Sequence, residues 1–233
     1  MCFCLRLTQK MKSTTFCSIP PANVTLGEGD EARVVAITGF EISRYPITCA
    51  EFDAFVNAMS ESKKKSLQLK HHKRPHHHLL ANHPTTHVTW HEANAYCRWL
   101  SEQTGAHYRL ATEAEWEYAA RGDDARHFPW GDTFHKDYCN NWEGGGGFTT
   151  AVDTFPKNIS PFGVCDMVGN VWEWTLSLYD SADNSAEAWR AIRGGSWYDT
   201  DWGVRAARRF GAPPDSASKN VGFRIVRVPM PKS

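Results

Sequence analysis

The 233-residue chain is 41% apolar and 22% charged, with 26 Lys and Arg set against 26 Asp and Glu. This length and apolar content suffice for a sizeable buried core and predict one domain, while the charge balance gives no general pull toward nucleic acid or an anionic membrane. All apolar runs are too short to span a bilayer, and the start MCFCLRLTQK lacks the apolar core and cleavage site of a secretory signal, so the reading is a soluble, cytoplasmic protein.

Seven cysteines (Cys2, Cys4, Cys17, Cys49, Cys97, Cys139, Cys165) are scattered without a CxxC pair, which favours reduced thiols over a disulfide framework or a zinc site. Ten tryptophans carry more information, because each needs a large packed environment and a partner for its N–H.

Residues 1–12, with a second possible start at Met11, are expected to be a tail, and residues 13–230 the domain. Phe16 to Leu26 and Ala32 to Tyr45 are rich in Val, Ile and Phe and are split by the turn-forming GEGDE, which predicts two antiparallel strands. Thr48 caps a predicted helix over 49–59, in which Phe52, Phe55 and Val56 share a face.

An insertion loop over 60–87 follows, polar, basic and rich in histidine. Eight histidines fall between His71 and His91, and imidazoles can hold zinc, nickel or copper, but the run has no fixed ligand spacing. A second helix begins at Trp90, places Ala93, Tyr96, Cys97 and Leu100 on one stripe and ends at Gly105 as a C-cap. Thr112 and Glu115 form a capping box for a short third helix, after which the sequence turns irregular, with many Gly, Trp and Asn.

Six blocks in this half carry a family resemblance: RLATEAEWEYAARGD from Arg109, FPWGD from Phe128, FGVCDMVGNVWEW from Phe162, RGGSW from Arg193, RAARR from Arg205 and NVGFRIVR from Asn220. In order and spacing they resemble the formylglycine-generating enzyme (sulfatase-modifying factor) family, over about Thr14 to Val228. The resemblance implies an α+β, C-type-lectin-like fold with two helices, small twisted antiparallel sheets and a high loop content.

The family's enzymes oxidise a cysteine of a client sulfatase with a copper ion held by two cysteines between the GGS and GFR blocks. Here Trp197 to Val221 contains no cysteine, and Cys165 is the last in the chain. Thiolates select a soft Cu(I) ion and the carboxylates of Asp199 or Asp201 do not, so copper is not expected and a catalytic role is disfavoured. For calcium, the resemblance implies one site from the Asp166 and Glu173 side chains with the carbonyls of Gly169 and Val171. It implies a second from Asn140, Asn141 and Phe148, where Gly144 to Gly147 replace an expected acidic ligand.

The fold is also that of the variable proteins of diversity-generating retroelements, whose C-terminal segment is rewritten by adenine-directed mutagenesis. Codons reached that way from AAC exclude Trp, Lys, Glu, Gln and Met, and from Tyr198 to Ala212 only Trp202 falls outside the permitted set. The residues read as a binding face are Tyr198, Asp199, Thr200, Asp201, Trp202, Gly203, Arg208, Phe210, Gly211 and Ala212: aromatics for contact area, polar groups for adaptable hydrogen bonds and glycine for close approach. Arg205, Ala207 and Arg209, with Trp172, Trp174 and Trp197, are read as scaffold. The expected function is non-catalytic binding of a protein or small-molecule ligand, and the alternative is a divergent metal-dependent oxidase or sulfatase-modifying accessory factor.

Overall fold

The computed structural model of the chain describes residues 14–66, 80–183, 185 and 187–228. His71, His72 and His76 to His78 of the insertion loop, and the expected tail, lie outside them.

The two predicted N-terminal strands are antiparallel, but each is broken in the middle. β1 (Phe16–Ile19) and β2 (Ala22–Leu26) are separated by Pro20 and Pro21, which cannot donate to a ladder. β3 (Arg33–Ile37) and β4 (Phe40–Ser43) break opposite them at Thr38 and Gly39. The register is continuous across the break, from Phe16 opposite Ser43 to Leu26 opposite Arg33. One bent hairpin thus supplies a strand pair to the main sheet and a separate two-stranded ribbon.

Four helices follow among the described residues: the two expected, the short one expected at Thr112, and a further short one at the start of the insertion loop. They are α1 (Cys49–Asn57), the short α2 (Glu61–Ser66), α3 (Trp90–Thr104) and α4 (Glu113–Arg121). α1, α3 and α4 each open on a complete capping box, from Thr48 with Glu51, Thr89 with Glu92 and Thr112 with Glu115. α3 ends as expected, with Gly105 left-handed at φ 74°. Phe52, Phe55 and Val56 on α1 meet Tyr96 and Cys97 on α3 in one buried cluster, where the Phe52 and Tyr96 rings stack at 5.8 Å.

The remaining strands are β5 (His107–Leu110), β6 (Trp172–Leu178), β7 (Arg190–Arg193), β8 (Arg209–Ala212), β9 (Val221–Phe223) and β10 (Ile225–Val228). They complete two four-stranded sheets, β1-β4-β10-β5 and β8-β7-β6-β9, antiparallel apart from the β6–β9 pair. β9 and β10 are a single run interrupted at Arg224, which crosses from one sheet to the other.

Arg224 is fully buried at that crossing. Its guanidinium pairs with both oxygens of Glu173 on β6 (2.6 and 2.8 Å) and donates to the carbonyls of Ser43, Cys165 and Asp166. Trp116 Nε1 on α4 donates to the same Glu173 carboxylate at 2.6 Å. A buried charge is tolerated only when its whole donor and acceptor capacity is engaged, as it is here. A second network joins α4 to β7 and β8: Arg193 reaches Glu113 and Glu117, Arg209 clasps Glu113 through two nitrogens, and Arg121 pairs with Glu117. These ties hold the C-terminal segment rigidly on the helices, and the read of Arg209, Trp172, Trp174 and Trp197 as scaffold agrees with their contacts and burial.

Candidate functional site

The C-terminal turn is built on two glycines. Gly194 and Gly195 take φ of 99° and 69°, and a Cβ on Gly195 would stand 2.8 Å from the Gly203 carbonyl, so the chain folds back on itself only without side chains there. Asp199 fastens the turn. Its Oδ2 accepts from Ser196 N–H (2.9 Å), Ser196 Oγ (2.6 Å) and Trp172 Nε1 (2.9 Å). Its backbone carbonyl accepts from Trp142 N–H, which ties in the glycine-run loop. Gly203 packs over the Asp199 side chain, where a Cβ would come within 2.9 Å.

The ten residues read as a face therefore divide. Tyr198, Trp202 and Phe210 are 59%, 55% and 58% exposed, and Thr200 and Asp201 are also on the surface. Arg208 is half-buried because its guanidinium lies 3.3 Å over the Trp202 ring. Asp199 and Gly203 instead shape the turn. Gly211 and Ala212 are corrections: both are buried, Ala212 in the helical core cluster and Gly211 beneath Tyr179 and Trp189. In the β8–β7 ladder Gly211 pairs with Ala191 and Ala212 with Arg190, so the two lie on opposite faces: Tyr179 and Trp189 cover Gly211, and Ala212 joins Ile192 in the helical core cluster.

Two contributors were missed. Trp142, 58% exposed, meets Tyr198 edge-on at 5.5 Å, and Lys219 lies over the rings of Trp197 and Tyr198 at 5.0 and 5.8 Å. Trp142 stands beside the run Gly144 to Gly147, a signal for a loop that approaches other backbone closely. A Cβ on Gly146 would meet the Trp197 carbonyl at 2.9 Å. Trp172, buried beneath, touches Phe210 at 6.3 Å and so joins the two ends of the face.

Of the first calcium set, Asp166 is the carboxylate left without a cationic partner of its own. Glu173 is already neutralised by Arg224, whereas Asp166, buried beside it, accepts only a weak 3.2 Å bond from Asp153 N–H. Burial pushes the Asp166 carboxyl up to about 7, against a lowering by the Asp153 N–H and Arg224. A hard cation would hold this carboxylate ionised, with the Gly169 and Val171 carbonyls in the adjoining turn.

The second set does not fit. Asn140 Nδ2 donates to the Phe148 carbonyl (2.8 Å) and to Asn170 Oδ1, and Asn141 Nδ2 donates to the carbonyls of Lys136 and Cys139. Both amides are thus engaged in the protein's own hydrogen bonds.

The comparisons with known proteins agree with this architecture. Residues 6–229 match the sulfatase-modifying factor enzyme 1-like domain family. The chain is 42% identical over 157 residues to the inactive C-alpha-formylglycine-generating enzyme 2 of Bos taurus, covering 60% of this chain and 49% of the relative. It is 30% identical to the formylglycine-generating enzyme of Mus musculus across 94% of this chain and 76% of that one. The chain thus spans about half the length of the inactive relative it matches. Among solved structures, PvdO from Pseudomonas aeruginosa superposes with a TM-score of 0.71 at 27% identity, covering 91% of this chain and 94% of its own. Treponema denticola variable protein 1 shares the fold, with a TM-score of 0.77 at 21% identity over 93% and 95% of the two chains. With its fold, its sequence blocks and nearly its whole length accounted for, this chain belongs to the sulfatase-modifying factor enzyme 1-like (formylglycine-generating enzyme) domain family.

Proposed function

We propose that this chain is a non-catalytic binding protein that takes a ligand on the face formed by Tyr198, Trp202, Phe210, Arg208, Thr200 and Asp201, with Trp142 and Lys219 beside them. The observation that carries the reading is four aromatic side chains, each more than half exposed, standing on a turn and strand locked from below by Asp199, Arg193 and Arg209. Large apolar surface held rigidly in water marks an interaction site, because rigid aromatics give contact area at low entropic cost. The missing thiols agree: the segment between Trp197 and Val221 has no soft ligand for a copper ion.

The test is alanine at Tyr198, Trp202 and Phe210. Retained folding with lost binding supports the reading, and a collapsed fold refutes it. Stoichiometric copper or iron bound outside the His71 to His91 loop, with oxygen-dependent turnover of a CxPxR peptide, would establish the oxidase instead.

The composition of Tyr198 to Ala212 supports a further reading, diversification by a retroelement. The gene for a reverse transcriptase beside an adenine-marked near-copy of the DNA encoding residues 193–224 is its direct test. Because Val204, Ala206, Gly211 and Ala212 are buried, tolerated diversity is expected at Tyr198, Thr200, Asp201, Arg208 and Phe210. Calcium is proposed at Asp166 as a structural ion. Its test is a fall in melting temperature on chelation that Asp166→Asn abolishes.

A further inference from the structure

The binding face extends further than the C-terminal turn, and its unsatisfied groups are of one chemical kind. Across the β7–β8 pair, Arg190 stands opposite Ala212 and Ile192 opposite Phe210, so Arg190 and Phe210 rise from the same side of the sheet. Arg190 lies 4.1 Å over the Trp90 ring, Arg208 lies 3.3 Å over Trp202, and Lys219 lies over Trp197 and Tyr198. The strip thus runs from Trp90 and Arg190, past Phe210 and Trp172, to Tyr198 and Trp142.

Among the described residues, no carboxylate lies within 4.0 Å of any of these three cations. The carboxylates nearby are turned to amide hydrogens instead: Asp199 to Ser196 and Trp172, Asp201 to Trp202 N–H at 2.7 Å, and Glu143 to Asp201 N–H at 3.2 Å. Two buried donors on the strip also have no partner, Arg190 Nε and the Nε1 of Trp197, a side chain only 4% exposed. A buried donor without an acceptor is costly, and a cation spread over an aromatic face is already positioned. What Arg190, Arg208 and Lys219 lack, among the described residues, is a carboxylate partner of their own.

We propose that the occupant of this face is an acidic polypeptide segment, whose carboxylates meet Arg190, Arg208 and Lys219 while its apolar side chains rest on Tyr198, Trp202 and Phe210. This rests on the binding reading above and adds the chemistry of the partner. The open shape selects a polypeptide over a small molecule: aromatics more than half exposed cannot enclose a small ligand, whereas a partner surface desolvates them. Guanidinium groups favour carboxylates through bidentate, charge-assisted hydrogen bonds, and cations stacked in advance lose less freedom on binding.

The probe is a peptide of about 15 residues alternating Glu and Tyr, long enough when extended to span the strip, compared with its Gln and Tyr counterpart. Binding to the full chain is titrated by the fluorescence of the exposed tryptophans. The Glu peptide is expected to bind at least about tenfold more tightly than the Gln peptide, and to weaken as salt rises from about 50 to about 300 mM. The Lys219→Glu, Arg208→Glu double variant is expected to lose that preference while remaining folded, since Lys219 is exposed and Arg208 makes no ion pair among the described residues.

Equal affinity for the two peptides, a preference that survives the double charge reversal, or no binding of the Glu peptide overturns the acidic partner. The face itself is judged separately. If both peptides bind equally and Trp202→Ala with Phe210→Ala abolishes both, the binding reading stands and only the acidic preference falls.

Discussion

Asp199 separates a ligand contact from a scaffold residue, and the two roles predict different measurements. In the Asp199→Ala variant, Ser196 N–H, Ser196 Oγ and Trp172 Nε1 all lose their acceptor. Hydrogen bonds to a charged group contribute about 1.5–3 kcal/mol each, but Asp199 is half-exposed and water replaces part of the loss, so the expected destabilisation is about 3 kcal/mol. For a chain of this size each kcal/mol moves the melting temperature by about 2–4 °C, which predicts a fall of about 6–12 °C by calorimetry. Asp199→Asn keeps one acceptor oxygen and should lose about half as much. Trp172, released from its carboxylate, should also shift its near-ultraviolet circular dichroism. A variant that melts like the parent yet fails to bind would refute the scaffold assignment and return Asp199 to the ligand-contacting set.

Trp202→Ala and Phe210→Ser should change stability by no more than about 0.5 kcal/mol by denaturant titration, because surface substitutions away from caps and networks are nearly neutral. Arg224→Met should cost at least about 3–5 kcal/mol, since it strands the buried Glu173 carboxylate; adding Glu173→Gln should recover part of that, and a purely additive double variant would argue against the pair. Acid should unfold the protein through α4. Burial pushes the Glu115 and Glu117 carboxyls up, but Arg109 at Glu115 and Arg193 with Arg121 at Glu117 outweigh it and hold both below their usual 4.5. The depressed folded-state pKa makes their contribution complete above about pH 4.5 and lost as pH falls through the folded values. Thermal melts from about pH 4 to pH 3, below the range in which Asp166 takes up its proton, should therefore show a falling melting temperature, and Arg193→Met should flatten the fall.

Local sequence determined much of the fold. Three helix starts are written as Thr-x-x-Glu, at Thr48, Thr89 and Thr112, and each forms a capping box because its hydrogen bonds close within four residues. The hairpin turn, the Gly105 cap and the apolar stripes of α1 and α3 are equally local, and the six ordered blocks fixed the family. The absence of cysteine after Cys165 needed no structure at all.

Tertiary structure decided which residues of that C-terminal string face water. Tyr198, Trp202 and Phe210 differ from Trp172 and Trp197 in environment and not in type, and only sheet pairing and the Gly194–Gly195 reversal assign them to opposite sides. Gly211 and Ala212 look permissive in sequence, but Tyr179 and Trp189 cover the first and the helical core cluster takes in the second. Trp142, Arg190 and Lys219 reach the face from positions 56 residues before, 8 residues before and 21 residues after Tyr198. Such convergence depends on long-range packing, and no periodicity within a single segment encodes it.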